Sequence, residues 1–282
     1  MLKQRLLTAA ILIPVFLAAL FLMDGLEFAI FLAVILILSL NEWANLSGIQ
    51  SIAVKLAYIT AGVVIAAIIQ YSGLVGQAMF ILVFALWLIV VLRLIQFGRQ
   101  VHDPKATAGN GPMAWLDGYF VLLPTVLGLQ VLKADDPAVP QLLLIFFFII
   151  WSADTGAYLA GRTWGKNKLA PAISPGKTIE GLIGGVIGAQ IIAVMVGILV
   201  WELSLSKLLL WLLAVALVTL FSVAGDLFES IYKRRAGVKD SGRLLPGHGG
   251  VLDRIDSACA ALPPYILVIY QFDLLTKSAA GL

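Results

Sequence analysis

The sequence has one cysteine, Cys259, in 282 residues. A single thiol excludes an internal disulfide and a cysteine-built metal cluster. Beside Asp256 and Ser257 it reads as a small packing residue. Charge is scarce as well: Asp, Glu, Lys and Arg make up 12% of the chain, against about 25% in an ordinary domain. That excludes a soluble globular protein. Short segments of alternating apolar and polar residues are also missing, which argues against a closed β-barrel. There is no internal repeat and no low-complexity segment.

What is abundant is hydrocarbon. Hydrophobic residues reach 61%, with a mean hydropathy of +1.01. They fall in runs close to the ~20 residues that an α-helix needs to cross a bilayer. The expected class is an all-α, polytopic helical membrane protein. Nine spans are predicted: about Leu6–Met23, Phe28–Leu46, Val54–Tyr71, Leu74–Phe97, Leu116–Leu132, Leu142–Ala160, Ile179–Trp201, Leu208–Leu227 and Ala258–Leu275. The second is the weakest, because Asn41, Glu42 and Asn45 sit in its last turns. The first follows Lys3 and Arg5 like a signal peptide, but it lacks a small-x-small cleavage site and reads as a retained helix.

With the amino terminus inside, all but Lys133, Lys207 and Lys277 of the 19 lysines and arginines fall on one side. The positive-inside rule gives that side to the cytoplasm and puts the carboxyl terminus outside. The outer loops are short and somewhat acidic (Asp24, Glu27, Asp135, Asp136, Glu202), and His102 reads as a solvated loop residue. The chain divides into amino-terminal helices over 1–97, middle helices and a cytoplasmic loop over 98–178, and a carboxyl-terminal catalytic group over 179–282.

Two inside segments carry chemistry. In the first, Asp154 lies within the sixth span, where a carboxylate costs ~2.5–3.5 kcal/mol at the helix centre and is a functional hypothesis by default. The plain alternative is an Asp satisfied by Ser152 or Thr155. Ser174-Pro175 then reads as a helix start, with Gly176, Lys177 and Thr178 in a first turn that favours an anion. A P-loop is excluded, since Pro171 stands where its first glycine belongs and no strand is expected before it. Gly181, Gly184, Gly185 and Gly188 form a small-residue face for close helix packing.

The second segment, Ser222–Asp256, holds both signs of charge between two apolar runs. Asp253 and Asp256 share one face at the start of the ninth span, and Asp226 closes the eighth. If the two helix ends meet, three carboxylates converge, and hard oxygen donors suit Mg²⁺. Pairing with Arg254 and Lys239 explains the carboxylates equally well. The surplus of Lys233, Arg234, Lys239, Arg243 and Arg254 tips the balance toward a phosphate ligand, with Pro246-Gly247-His248-Gly249-Gly250 allowing backbone to approach it. Carboxylate-held Mg²⁺ with Lys and Arg is the equipment of phosphoryl or nucleotidyl transfer. A basic patch for anionic headgroups accounts for Lys233–Arg235, but leaves the three carboxylates without a role.

Ser230-Ile-Tyr-Lys-Arg234, Lys239-Asp-Ser-Gly242 and Pro246-Gly-His-Gly-Gly-Val-Leu-Asp-Arg-Ile-Asp256 together resemble the signature of phosphatidate cytidylyltransferases (CDP-diacylglycerol synthases). The segments Asp154–Gly161 and Ile173–Gly181 are similar to that family too. Tyr232 departs from it, since an aliphatic residue or Phe is usual there. The resemblance implies CTP and phosphatidate as substrates, and CDP-diacylglycerol and pyrophosphate as products. It also implies a homodimer in the inner (cytoplasmic) membrane, with its site on the cytoplasmic face and no nucleic-acid partner. It assigns Mg²⁺ to Asp226, Asp253 and Asp256, with room for a second cation. Lys239, Arg254 and Lys177 would meet phosphate oxygens, His248 would contact phosphate or position Asp253, and Lys233 and Arg234 would hold the phosphatidate headgroup. Asp154 would complete the site.

Two rivals are weaker. A CDP-alcohol phosphotransferase needs Gly after its second Asp, and here Ser257 follows Asp256. A secondary transporter would place its intramembrane charges in repeat-related helices, whereas these gather at one face.

Overall fold

The computed structural model describes residues 2–99, 111–133 and 140–272. Among the described residues the α-helices are α1 (Leu2–Phe21), α2 (Gly25–Leu46), α3 (Ile52–Tyr71), α4 (Gln77–Arg99), α5 (Pro112–Leu132), α6 (Pro140–Trp164), α7 (Ile179–Met195, continued by a π-helical turn over Val196–Val200), α8 (Leu205–Arg235) and α9 (Leu252–Gln271). Seven of them, α2 to α8, are long and apolar enough to cross a membrane, and α1 is apolar over Ala10–Phe21. His102, Lys105, Asp135, Asp136 and Lys277, and the side chains of Lys3, Arg5 and Arg99, lie outside the described residues.

Helix starts follow local chemistry. Asp24 accepts from Glu27 N at 2.7 Å and Glu27 returns the bond to Asp24 N at 3.1 Å, a capping box at α2. Pro112 opens α5 directly after Gly111, whose φ is +57°. In hydrocarbon a polar side chain is stabilised by an internal partner. Accordingly Trp43 Nε1 donates to Ala114 O at 2.7 Å, Trp211 Nε1 to Ala193 O at 2.9 Å, and Gln190 Nε2 to Leu212 O at 2.9 Å.

Two glycine contacts set the carboxyl-terminal half. Between α6 and α7 the expected small-residue face is present. A Cβ on Gly188 would stand 2.4 Å from Ser152 O, and one on Gly184 2.3 Å from Ala160 Cβ. Between α8 and α9 a Cβ on Gly225 would stand 2.3 Å from Asp256 O, so the two backbones touch where Asp226 and Asp256 begin.

Two expectations are corrected. Ser174-Pro175 does not start a helix: Ser174–Thr178 is strand β2, paired antiparallel with β1 (Lys168–Ala170) in a two-stranded hairpin. Thr178 is the cap instead, accepting from Gly181 N at 3.0 Å, and Glu180 holds the hairpin through Lys166 N and Asn167 N. Pro175 lacks an N–H, which an edge strand tolerates. The second correction concerns α8, which does not stop near Leu227 but continues to Arg235. At 31 residues it is about 46 Å long, and it carries Lys233 and Arg234 that the sequence had suggested for a loop.

Tyr232, the departure from the family pattern, donates to Asp117 on α5 and stacks near Trp43 at 4.7 Å between ring centroids. Tyr232→Phe removes the donor and keeps the ring. The expected outcome is a loss of about 1 kcal/mol in stability with turnover unchanged, read by thermal melting and an activity assay on the same sample.

Candidate active site

The end of α6, the start of α7, α8 about two turns before its end, the start of α9 and the β-hairpin line a cavity of about 370 Å³, with Asp154, Tyr158, Arg162, Lys177, Asp226 and Ser257 among its lining residues. Because Gly225 brings α8 against α9, Asp226 and Asp256 lie within electrostatic reach of each other, and Asp154 reaches both. The hydroxyls that might have satisfied Asp154 are used elsewhere: Ser152 donates to Ile149 O and Thr155 to Trp151 O. Asp154 therefore faces the cavity. Lys177, on β2, reaches in from the hairpin with Nζ 2.8 Å from Asp226 Oδ2 and 3.5 Å from Val223 O. Arg162 lies over the Tyr158 ring and donates to its hydroxyl at 2.8 Å.

Behind the cavity is a second, closed network. Asp253 Oδ1 takes Lys233 Nζ at 2.9 Å; Oδ2 accepts from Ser241 N, Ser241 Oγ and Gly250 N at 2.8–2.9 Å. Lys233 also meets Glu229 Oε2 at 3.2 Å, and the Lys233 and Asp253 side chains are each only 8% exposed. Glu42, from α2, accepts from Ser241 Oγ, Val251 N and Leu252 N. The glycines here make room for these carboxylates: a Cβ on Gly242 or Gly250 would stand 2.3 Å from Glu42, and one on Gly249 2.5 Å from Asp253 Oδ2. Gly249 also has a φ of +84°, which favours glycine.

The expected three-carboxylate centre is thus divided. Asp226 lines the cavity and Asp256 lies within electrostatic reach of it, while Asp253 is held by Lys233 on one oxygen and by Ser241 and Gly250 on the other. Among the described residues no three carboxylates form a ready-made cation cage. The donor set nevertheless fits a hard cation at Asp226 and Asp256, and the buried Glu229 Oε1 beside Asp256 has no hydrogen-bond partner. Lys233 is buried between two carboxylates, Glu229 and Asp253. Arg234 spends its guanidinium on Ile173 O and Val238 O, tying α8 to the hairpin and the loop. Lys239 is exposed, and Arg254 is exposed within electrostatic reach of Asp154. His248 is half-buried, and its Nδ1 is buried without a partner.

Residues 3–272 match the model of the cytidylyltransferase family. The chain belongs to that family. It is 40% identical over 274 residues to a phosphatidate cytidylyltransferase of Pseudomonas aeruginosa, covering 96% of this chain and 97% of that one. A Haemophilus influenzae protein of the same name is 38% identical over 284 residues (93% and 96%), and one from Staphylococcus aureus 35% over 273 residues (95% and 99%). A cytidylyltransferase needs cationic groups against a triphosphate, and the cavity is lined by Lys177 and Arg162, with Arg254 within electrostatic reach of Asp154. Reading the sequence alone missed Arg162 and Glu42. Asp154, Tyr158 and Arg162 recur at intervals of four on α6, a one-face pattern that flags Arg162. Glu42 is a carboxylate in an apolar run, the feature that singled out Asp154.

Proposed function

We propose that the protein transfers the cytidylyl group of CTP to phosphatidate, yielding CDP-diacylglycerol and pyrophosphate for phospholipid synthesis. The meeting of Asp154, Asp226 and Lys177 in one cavity, with Asp256 within electrostatic reach of both carboxylates, in a chain of this family, carries the reading. The phosphatidate oxygen is already ionised near neutral pH, so attack on the α-phosphorus of CTP needs no strong general base. The bond from that phosphorus to the oxygen bridging to the β-phosphate breaks, and pyrophosphate leaves with that oxygen.

The residues supply position and charge. Lys177 has three ammonium protons, of which Asp226 and Val223 O take two, leaving one for a phosphate oxygen. Arg162 and Arg254 bring further positive charge to the cavity rim, where fixed cations stabilise charge developing in the transition state. A divalent cation, Mg²⁺ by its preference for oxygen donors, would be held by Asp226 and Asp256 and would neutralise charge on the triphosphate and the departing pyrophosphate. Asp154 and Glu229 offer donors for a second cation. His248 positions the loop around Asp253. The reading includes nine membrane spans with the amino terminus inside, the cavity at the cytoplasmic face of the inner membrane, and a homodimer.

The test is direct. Purified protein in detergent, given labelled CTP, phosphatidate and Mg²⁺, is expected to form labelled CDP-diacylglycerol with one pyrophosphate released per product. Chelating the divalent cation is expected to stop the reaction. If no product forms with either CTP or dCTP while the protein remains folded, the assignment is wrong.

A further inference from the structure

Glu42 lies in α2, far in sequence from the loop before α9, and is 5% exposed. Its Oε2 accepts from Ser241 Oγ at 3.1 Å and Leu252 N at 2.8 Å, and its Oε1 from Val251 N at 3.1 Å. The first amides of a helix have no acceptor within the helix, and α9 has no side-chain cap from its own cap residue, Val251. Glu42 provides that cap from another helix, and its negative charge sits at the positive end of the α9 dipole. Ser241 Oγ lies between Glu42 Oε2 and Asp253 Oδ2, the latter at 2.9 Å, and its single proton serves one carboxylate or the other. A second amino-terminal contact holds the same loop, with Thr8 Oγ1 donating to Pro246 O at 2.8 Å.

We propose that Glu42 is a positioning residue for the transfer: by holding Ser241 and the first amides of α9 it sets the placement of Asp253 and Asp256 relative to Asp226. This rests on the reading of the protein as a cytidylyltransferase. Asp253 stands on the first turn of α9 and Asp256 directly after it, so a tilt of this end of the helix moves Asp256 relative to Asp226. A carboxamide at position 42 must direct its NH₂ at Ser241 and Leu252 N or at Val251 N, and in either orientation one amide is left facing a donor.

The test uses full-length wild type, Glu42→Gln, Glu42→Asp and Glu42→Ala in detergent. Misplacement of reacting groups by about 1 Å costs ~100-fold, and this is the expected loss of kcat in Glu42→Gln. KM for phosphatidate is expected to stay within about threefold. Hydrogen exchange is expected to accelerate at Val251 and Leu252 and stay unchanged in α5 and α7. Glu42→Asp, which keeps the charge on a shorter arm, is expected to recover at least ~10-fold of the lost kcat. If Glu42→Ala fails to fold, the Gln and Asp variants decide. The proposal is overturned if kcat falls only in proportion to the folded fraction, if exchange changes equally in all helices, or if Glu42→Gln turns over normally. A wild type without cytidylyl transfer removes the underlying reading and the proposal with it; an active wild type with indifferent variants removes the proposal alone.

Discussion

Asp253→Asn is expected to lower kcat by at least ~100-fold and to leave a protein that melts at a lower temperature. Asp253 joins Lys233 to the loop, with one oxygen on the ammonium and the other on three loop donors. Asn can satisfy one side only, because its NH₂ must face either Lys233 or the donors from Ser241 and Gly250. Removing one partner of a buried pair typically costs ~3–5 kcal/mol, and the lower end applies since Lys233 keeps Glu229 at 3.2 Å. The form of the loss separates two roles. If Asp253 acts only by holding the loop and α9, kcat falls while the Mg²⁺ concentration for half-activation stays the same. A shift in that concentration would make Asp253 a metal ligand and would mean that the network opens when the cation binds. Turnover near wild type would remove Asp253 from the site.

Gly156→Ala is expected to be nearly as damaging, although glycine itself has no chemistry to lose. Its Cβ would stand 2.3 Å from Gly184 O and 3.4 Å from Gly188 Cα, both backbone, so α6 and α7 must separate. Forcing extra atoms into a packed interface costs typically 1–3 kcal/mol. Asp154 is two residues away on α6 and Lys177 lies just before α7, so separation moves both against Asp226. Turnover is expected to fall about 100-fold, with a fall in melting temperature. Gly76→Ala is the control, having nothing within 4 Å of its Cβ. Equal activity in the two variants would show that α6 and α7 yield without disturbing the cavity.

Much of this arrangement was legible in the sequence because it rests on local or periodic patterns. The apolar runs gave the helices, the spacing of Gly181, Gly184, Gly185 and Gly188 gave the close-packing face of α7, though not its partner α6, and the cost of a carboxylate in hydrocarbon singled out Asp154. What escaped depends on partners distant in the chain. Lys233 and Arg234 resemble loop charges, and only Asp253 and the Ile173 carbonyl explain why α8 carries them inward. Ser174-Pro175 has the composition of a helix start, but pairing with Lys168–Ala170 and capping by Thr178 override it. The glycines of the signature loop suggested room for a ligand, yet Gly242, Gly249 and Gly250 make room for Glu42 and Asp253. The amino-terminal helices, with little motif of their own, hold that loop through Thr8 and Glu42.

The separation of Glu42 from its partners also bears on how the chain is made. Leu252 follows Glu42 by 210 residues, which at ~5–20 residues per second takes a ribosome roughly 10–40 s. During that interval α2 has entered the membrane with a carboxylate whose native donors have not been synthesised. Completion of the last helix then does two things at once: it ends the exposure of an early charge, and it closes the loop on which the carboxylates depend. A nascent chain halted before α9 would carry its unmet anion in α2, a mark by which quality control can tell an unfinished enzyme from a finished one.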